Sequence, residues 1–169
     1  IFRDVYLTSE PLVKIEDYVV VTDLDENYED AVLSVKADVR NLSTEAQSGW
    51  SIDVQAFDED GKDILGGASI AVDEVASTET ESFSVDISVE KPELWSAEKP
   101  NLYALVLTLK DGEGKVVEHL STQLGFREIE FTRTEVDANY NVTTKRWEPT
   151  KINGKRLLLK GANRHDSDP

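Results

Sequence analysis

The chain has 169 residues, 34 acidic against 18 basic side chains, a formal charge of −16 and no cysteine. That length suits one ordinary domain with an attachment, and a core of that size needs no covalent staple. The absence of thiols excludes disulfides, thiolate metal sites and a cysteine nucleophile, and the charge argues against nucleic acid and anionic membrane surfaces as partners.

No apolar run approaches the roughly 18 residues that a membrane span requires. The start, Ile1-Phe2-Arg3-Asp4, lacks the basic and apolar regions of a signal peptide. A cysteine-free composition fits a reducing compartment, so a cytoplasmic location is expected rather than secretion.

In chain order the dominant period is two, the signature of half-buried antiparallel strands. Tyr18–Thr22 is a first, weaker candidate. Leu33, Val35, Ala37 and Val39 alternate with Ser34, Lys36, Asp38 and Arg40. Trp50, Ile52, Val54 and Ala56 alternate with Ser51, Asp53, Gln55 and Phe57. Ile64–Ala71 is again weaker, and Phe83, Val85, Ile87 and Val89 alternate with Ser84, Asp86 and Ser88. Leu102–Leu109 is apolar at both parities and is expected to lie centrally, covered on both faces. Val116–Leu124 closes the series.

The connections Asp23–Asn27, Asp58–Lys62 and Asp111–Gly114 are turn signals. No window holds the helical i, i+3, i+4, i+7 pattern. About seven short strands in about 115 residues predict an immunoglobulin-like antiparallel β-sandwich, with a closed barrel as the alternative.

The tail differs. Glu128–Trp147 is polar and mixed, a hairpin or a long loop. Asn153-Gly154 is a strong hairpin-turn signal. Leu157–Leu159 is apolar without alternation, as in a strand buried on both faces, yet nothing in the chain offers it parallel neighbours. With the lack of any methionine and the abrupt Asp168-Pro169 end, this suggests an internal segment followed by a larger α/β domain.

Three segments resemble the family 2 glycoside hydrolases, in particular the large bacterial β-galactosidases. Ile1–Leu7 is similar to the end of that family's sugar-binding jelly roll. Pro92-Glu93-Leu94-Trp95-Ser96 with Pro100-Asn101-Leu102-Tyr103 is similar to a stretch of its immunoglobulin-like domain. Gly125-Phe126-Arg127-Glu128-Ile129, Ile152-Asn153-Gly154-Lys155 and Leu159–His165 are similar to its passage into the first strand of a (β/α)8 barrel. The resemblance implies a division into 1–12, the end of the jelly roll; 13–127, the sandwich; and 128–169, a connection and first barrel strand. Thr132–Thr150 departs from the family as an apparent insertion, and Asp166 stands where many relatives have Glu.

The resemblance also implies a reaction: hydrolysis of terminal β-galactosides with retention. Such chemistry needs two carboxyl groups about 5–5.5 Å apart. In the family both are glutamates on later barrel strands, absent from this chain, so the segment alone is expected to be an inactive spacer. His165 resembles the family histidine at the C-terminal end of the first barrel strand, where such barrels hold their active sites. An imidazole there can bond sugar hydroxyls more strongly as the ring flattens toward an oxocarbenium ion. Asn163 and Arg164 belong to the same motif, as substrate contacts or as structural partners of a barrel carboxylate. Mg²⁺ and Na⁺ are implied for the whole enzyme and no metal for this segment. The expected partners are a β-galactoside, the barrel and jelly-roll domains, and other subunits in a homo-oligomer.

Other residues carry blander readings. His119 on a strand face is expected to be structural. Trp50 belongs to the core, Trp95 plugs the sandwich edge, and Trp147 is the one tryptophan placed to face sugar. Asp23, Asp25 and Asn27, like Asp58 and Asp60, lack the spacing of a calcium loop and read as solvated turns. Asn41-Leu42-Ser43 and Asn141-Val142-Thr143 match glycosylation sequons by pattern alone. The rival functions are a sibling activity of the same family, β-glucuronidase or β-mannosidase, and a stand-alone carbohydrate-binding or adhesion sandwich.

Overall fold

The computed structural model describes residues 4–131, 139, 150–159 and 161. Seven antiparallel strands build two sheets: β1 (Val13–Leu24), β2 (Ala31–Asn41), β3 (Gln47–Phe57), β4 (Ala68–Val75), β5 (Thr80–Val89), β6 (Tyr103–Lys110) and β7 (Val116–Leu124). One sheet has the order β1-β2-β5 and the other β4-β3-β6-β7. The separate sheets settle the choice between sandwich and closed barrel. Three short strands, β8 (Ile129–Glu130), β9 (Lys151–Ile152) and β10 (Lys155–Arg156), form a third sheet beyond β7.

Alternation along the strands builds the core. Leu33, Val35, Ala37 and Val39 of β2 face Ile52, Val54 and Ala56 of β3 and Leu105, Leu107 and Leu109 of β6, all essentially inaccessible to water. Burying a leucine side chain stabilises by about 2 kcal/mol, so these inward rows dominate the fold. Trp50 is half-buried against this core.

Three expectations need correction. The first strand runs well beyond Tyr18–Thr22, and a bulge at Glu16 hides its period. Ile15 pairs with Val39 and Asp17 with Asp38, so the inward set changes parity, from Val13 and Ile15 to Tyr18, Val20 and Leu24. The Ile64–Ala71 strand begins instead at Ala68, because Gly66 and Gly67 turn the chain at φ of 66° and 87°. Finally, β6 is central in its sheet but its second face is covered only in part: Ala104 is exposed, Val106 half-buried and Thr108 buried.

The open edges β1 and β7 lie side by side, and Glu118 Oε2 accepts the Ile15 amide across them at 2.9 Å. Three loops, one of them (at Asp111) at the opposite end of the sandwich from the other two, repeat a single device. Asp25, Asp58 and Asp111 each accept, through Oδ1, the amides two and four residues further on, at 2.8–3.2 Å. The residue three places after each aspartate has positive φ: Tyr28 at 57°, Gly61 at 77° and Gly114 at 79°.

Candidate functional site

The Pro92–Tyr103 connection, the Gly125–Arg127 exit from β7 and the Asn153-Gly154 turn meet at one end of the sandwich. The Trp95 amide donates to Phe126 O at 2.9 Å, and Asn101 Nδ2 donates to Leu94 O at 3.0 Å. Phe126 is fully buried and packs edge-on against Tyr103, with centroids 5.3 Å apart. The Tyr103 hydroxyl accepts the Glu93 amide at 2.8 Å. This is the tyrosine corner of immunoglobulin-like sandwiches, a tyrosine opening the strand whose hydroxyl pins the loop before it. Burial pushes the Tyr103 phenol above its ordinary range.

Trp95 forms the floor of the junction. Gly125 passes so close that a Cβ there would lie 3.0 Å from Trp95 Cβ. On the ring's face, the Arg127 guanidinium stands 4.5 Å from the centroid, a cation–π contact. The expected edge plug is thus a half-buried platform tying the two connections together.

The Asn153-Gly154 signal makes the tight turn it predicts. Asn153 and Gly154 have φ of 48° and 71°, the paired positive values of a type I′ turn, between the antiparallel β9 and β10. The Asn153 side chain does more than tolerate that conformation. Its Oδ1 accepts the Glu128 amide at 2.9 Å, and its Nδ2 donates to Trp95 O at 3.0 Å. Opposite, the Tyr28 ring presses on Gly154, where a Cβ would fall 2.5 Å from Tyr28 Cε2. The Tyr28 hydroxyl donates to Glu130 Oε1 at 2.8 Å, and Lys151 Nζ lies 3.3 Å from Glu130 Oε2. The Tyr28 hydrogen bond and then Lys151 hold the Glu130 carboxyl below its ordinary value, and the same bond raises the Tyr28 phenol. An open cleft of about 1140 Å³ separates the Leu94–Asn101 loop from the hairpin.

Of the residues singled out from the sequence, Asn163, Arg164, His165, Asp166, Trp147 and the Asn141 sequon lie outside the described residues. Leu157–Leu159 form no strand in the structure. Leu157 donates to Thr150 O at 2.8 Å, but Leu158 and Leu159 are 66% and 83% exposed. Pairing ends at Arg156, and among the described residues no strand lies alongside to receive them. His119 is exposed, with Nδ1 2.9 Å from the buried Thr108 hydroxyl. The Asn41 sequon is closed: that residue is completely buried, its Nδ2 bonded to Glu45 O and Val75 O and its Oδ1 to the Ser43 amide and hydroxyl. Among the described residues no three His, Asp or Glu side chains are placed to hold a metal ion. Sequence reasoning passed over Tyr28. Its signal was a tyrosine in the loop position that the two sister loops give to glycine.

Fold and junction define an all-β sandwich of two antiparallel sheets. The sequence pattern described as Glycosyl hydrolases family 2 matches residues 13–127, and the chain belongs to that family. It is 38% identical to a β-galactosidase of Priestia megaterium over 99% of its own length, and 36% identical to one from Photobacterium profundum over 100%. It spans about 15% of the length of each. A β-glucuronidase structure from Bacteroides uniformis superposes with a TM-score of 0.72 at 24% identity, over 92% of this chain and 18% of that one. That likeness shows the fold.

Proposed function

We propose that the chain is the non-catalytic spacer of a retaining β-galactosidase, holding the hydrolase's sugar-binding and catalytic parts in register. The observation that carries this is the end-to-end alignment with β-galactosidases, at 38% identity over 99% of the chain but 15% of the relative. The junction supports it physically, since three connections interlock where the chain leaves the sandwich.

In this reading the acid/base and nucleophilic carboxyl groups come from outside the chain and open a galactosyl–enzyme route with retention. His165 supplies an imidazole to the sugar hydroxyls, with Asn163 and Arg164 beside it. Mg²⁺ and Na⁺ belong to this proposal for the whole enzyme, as the family resemblance implies.

The test is direct. The purified 169-residue chain is incubated with a chromogenic β-galactoside and, in parallel, with a β-glucuronide, and neither is turned over. A polypeptide joining this chain to complete family 2 flanking domains hydrolyses the galactoside, and replacing His165 by Ala lowers kcat/KM by at least tenfold. Turnover by the isolated chain, or preference for the glucuronide, overturns the proposal.

A further inference from the structure

We infer that Asn153 is a positioning residue, which locks the β9–β10 hairpin to the sandwich and so fixes the direction in which Leu157–Leu159 leave it. The inference rests on the spacer reading for its purpose, but its geometry stands in the chain itself.

A hairpin of two-residue strands has too few ladder bonds to hold its own orientation. Here three loops grip it. Asn153 Nδ2 reaches Trp95 O in the β5–β6 connection, while Oδ1 takes the Glu128 amide that follows β7. Tyr28, from the β1–β2 loop, closes on Gly154 and bonds Glu130. Trp95 is itself fixed by the Phe126 carbonyl and by Arg127 above its ring. Each grip comes from a different connection, so translation and rotation of the hairpin are both opposed. Two of the gripping residues sit at positive φ without being glycine, Tyr28 at 57° and Asn153 at 48°. Backbone strain of that kind persists where surrounding contacts over-determine it.

The arrangement separates two roles of one residue. Glycine at 153 would keep the type I′ turn, since it accepts positive φ freely. It would lose both side-chain bonds. Asn153→Gly therefore loosens the docking without breaking the hairpin, which keeps its β8–β9 pairs and the bond from the residue 153 amide to Glu128 O at 2.9 Å.

The experiment is residual dipolar coupling on the isotope-labelled 169-residue chain, with thermal unfolding alongside. In the wild type, the amides of 151–156 fit the alignment tensor defined by β2, β3 and β6. In Asn153→Gly they depart from it and their heteronuclear NOE values fall, while the midpoint of sandwich unfolding moves by no more than about 2 °C. Asn153→Asp keeps the acceptor for the Glu128 amide and loses the donor to Trp95 O, and it gives an intermediate departure; it also serves should the glycine variant not fold. A wild-type hairpin that needs its own tensor refutes the inference. So does an Asn153→Gly chain whose hairpin still fits the sandwich tensor, or an aspartate variant, used in its place, that does so. None of these readouts involves turnover, so the joint and the proposed activity fail separately.

Discussion

Asn41→Asp is the sharpest test of how the two sheets are tied together. Asn41 Nδ2 lies 2.8, 3.0 and 3.3 Å from the carbonyl oxygens of Glu45, Val75 and Ala76, in a site with no solvent access. Aspartate is the same shape but replaces those two N–H donors with an oxygen. While protonated it retains one O–H donor, so one bond is lost, at about 1–2 kcal/mol. When ionised it sets a buried negative charge against carbonyl oxygens, so its native pKa rises well above the unfolded value of about 3.9. Through that window the native state binds the extra proton, and stability therefore falls as pH rises, by about 1.4 kcal/mol per unit until the native pKa is passed. Between pH 5 and 7 the deficit relative to wild type grows by up to about 2.7 kcal/mol. Urea unfolding followed by tryptophan fluorescence at both pH values measures it. Asn41→Ala is the control, since its loss against wild type stays the same at the two pH values. Should the aspartate variant track the alanine variant, with no added pH dependence, the hydrogen-bond account of this site is wrong.

Other outcomes follow from single contacts. Tyr103→Phe leaves the Glu93 amide without its acceptor; calorimetry should show a loss of about 1–2 kcal/mol and a midpoint lower by roughly 4 °C. Thr78 is an exposed β-branched residue at φ 66°. Thr78→Gly relieves about 1–2 kcal/mol of strain against a smaller unfolded-state cost, so the chain gains about 0.5–1 kcal/mol; a lower melting point would contradict the strain argument. The Glu130 carboxyl sits below its ordinary value of 4.5, so its bonds to Tyr28 and Lys151 contribute above that pH and are lost as pH falls through the lower native value. Amide exchange at 151–156 should accordingly rise below about pH 4 relative to the sandwich, and Tyr28→Phe should abolish that pH response.

What the sequence showed depended on whether a strand kept one parity. In β2, β3 and β5 every second side chain points inward without interruption, and all three were legible. In β1 the Glu16 bulge inserts one residue, and Val19 and Val21, outward and exposed, blur the alternation. The Gly66-Gly67 pair displaced the start of β4 for a related reason, because apolar Ile64 and Leu65 belong to the approach and not the ladder. At the junction, Asn153-Gly154 announced its turn through local chemistry alone. The target of the Asn153 side chain lies 58 residues away in sequence, at Trp95 O, and no short-range pattern encodes it. Tyr28 was hidden until the three aspartate loops could be laid over one another. The tyrosine corner was likewise present in Glu93 and Tyr103, ten residues apart, but only as a pair without a geometry.

The carboxylate that Glu118 lends to the Ile15 amide has a bearing on how such chains coexist. A sandwich ends in strands whose outer backbone groups invite a stranger to join the ladder. Here the invitation is withdrawn at the bulge: the amide is taken from the opposite sheet, and Lys14 is held between Glu10 and Glu16 on the same rim. An intruding strand would have to evict a carboxylate and approach a body carrying a formal charge of −16. At this edge, one glutamate's reach and the like charge of a second copy both oppose edge-to-edge stitching.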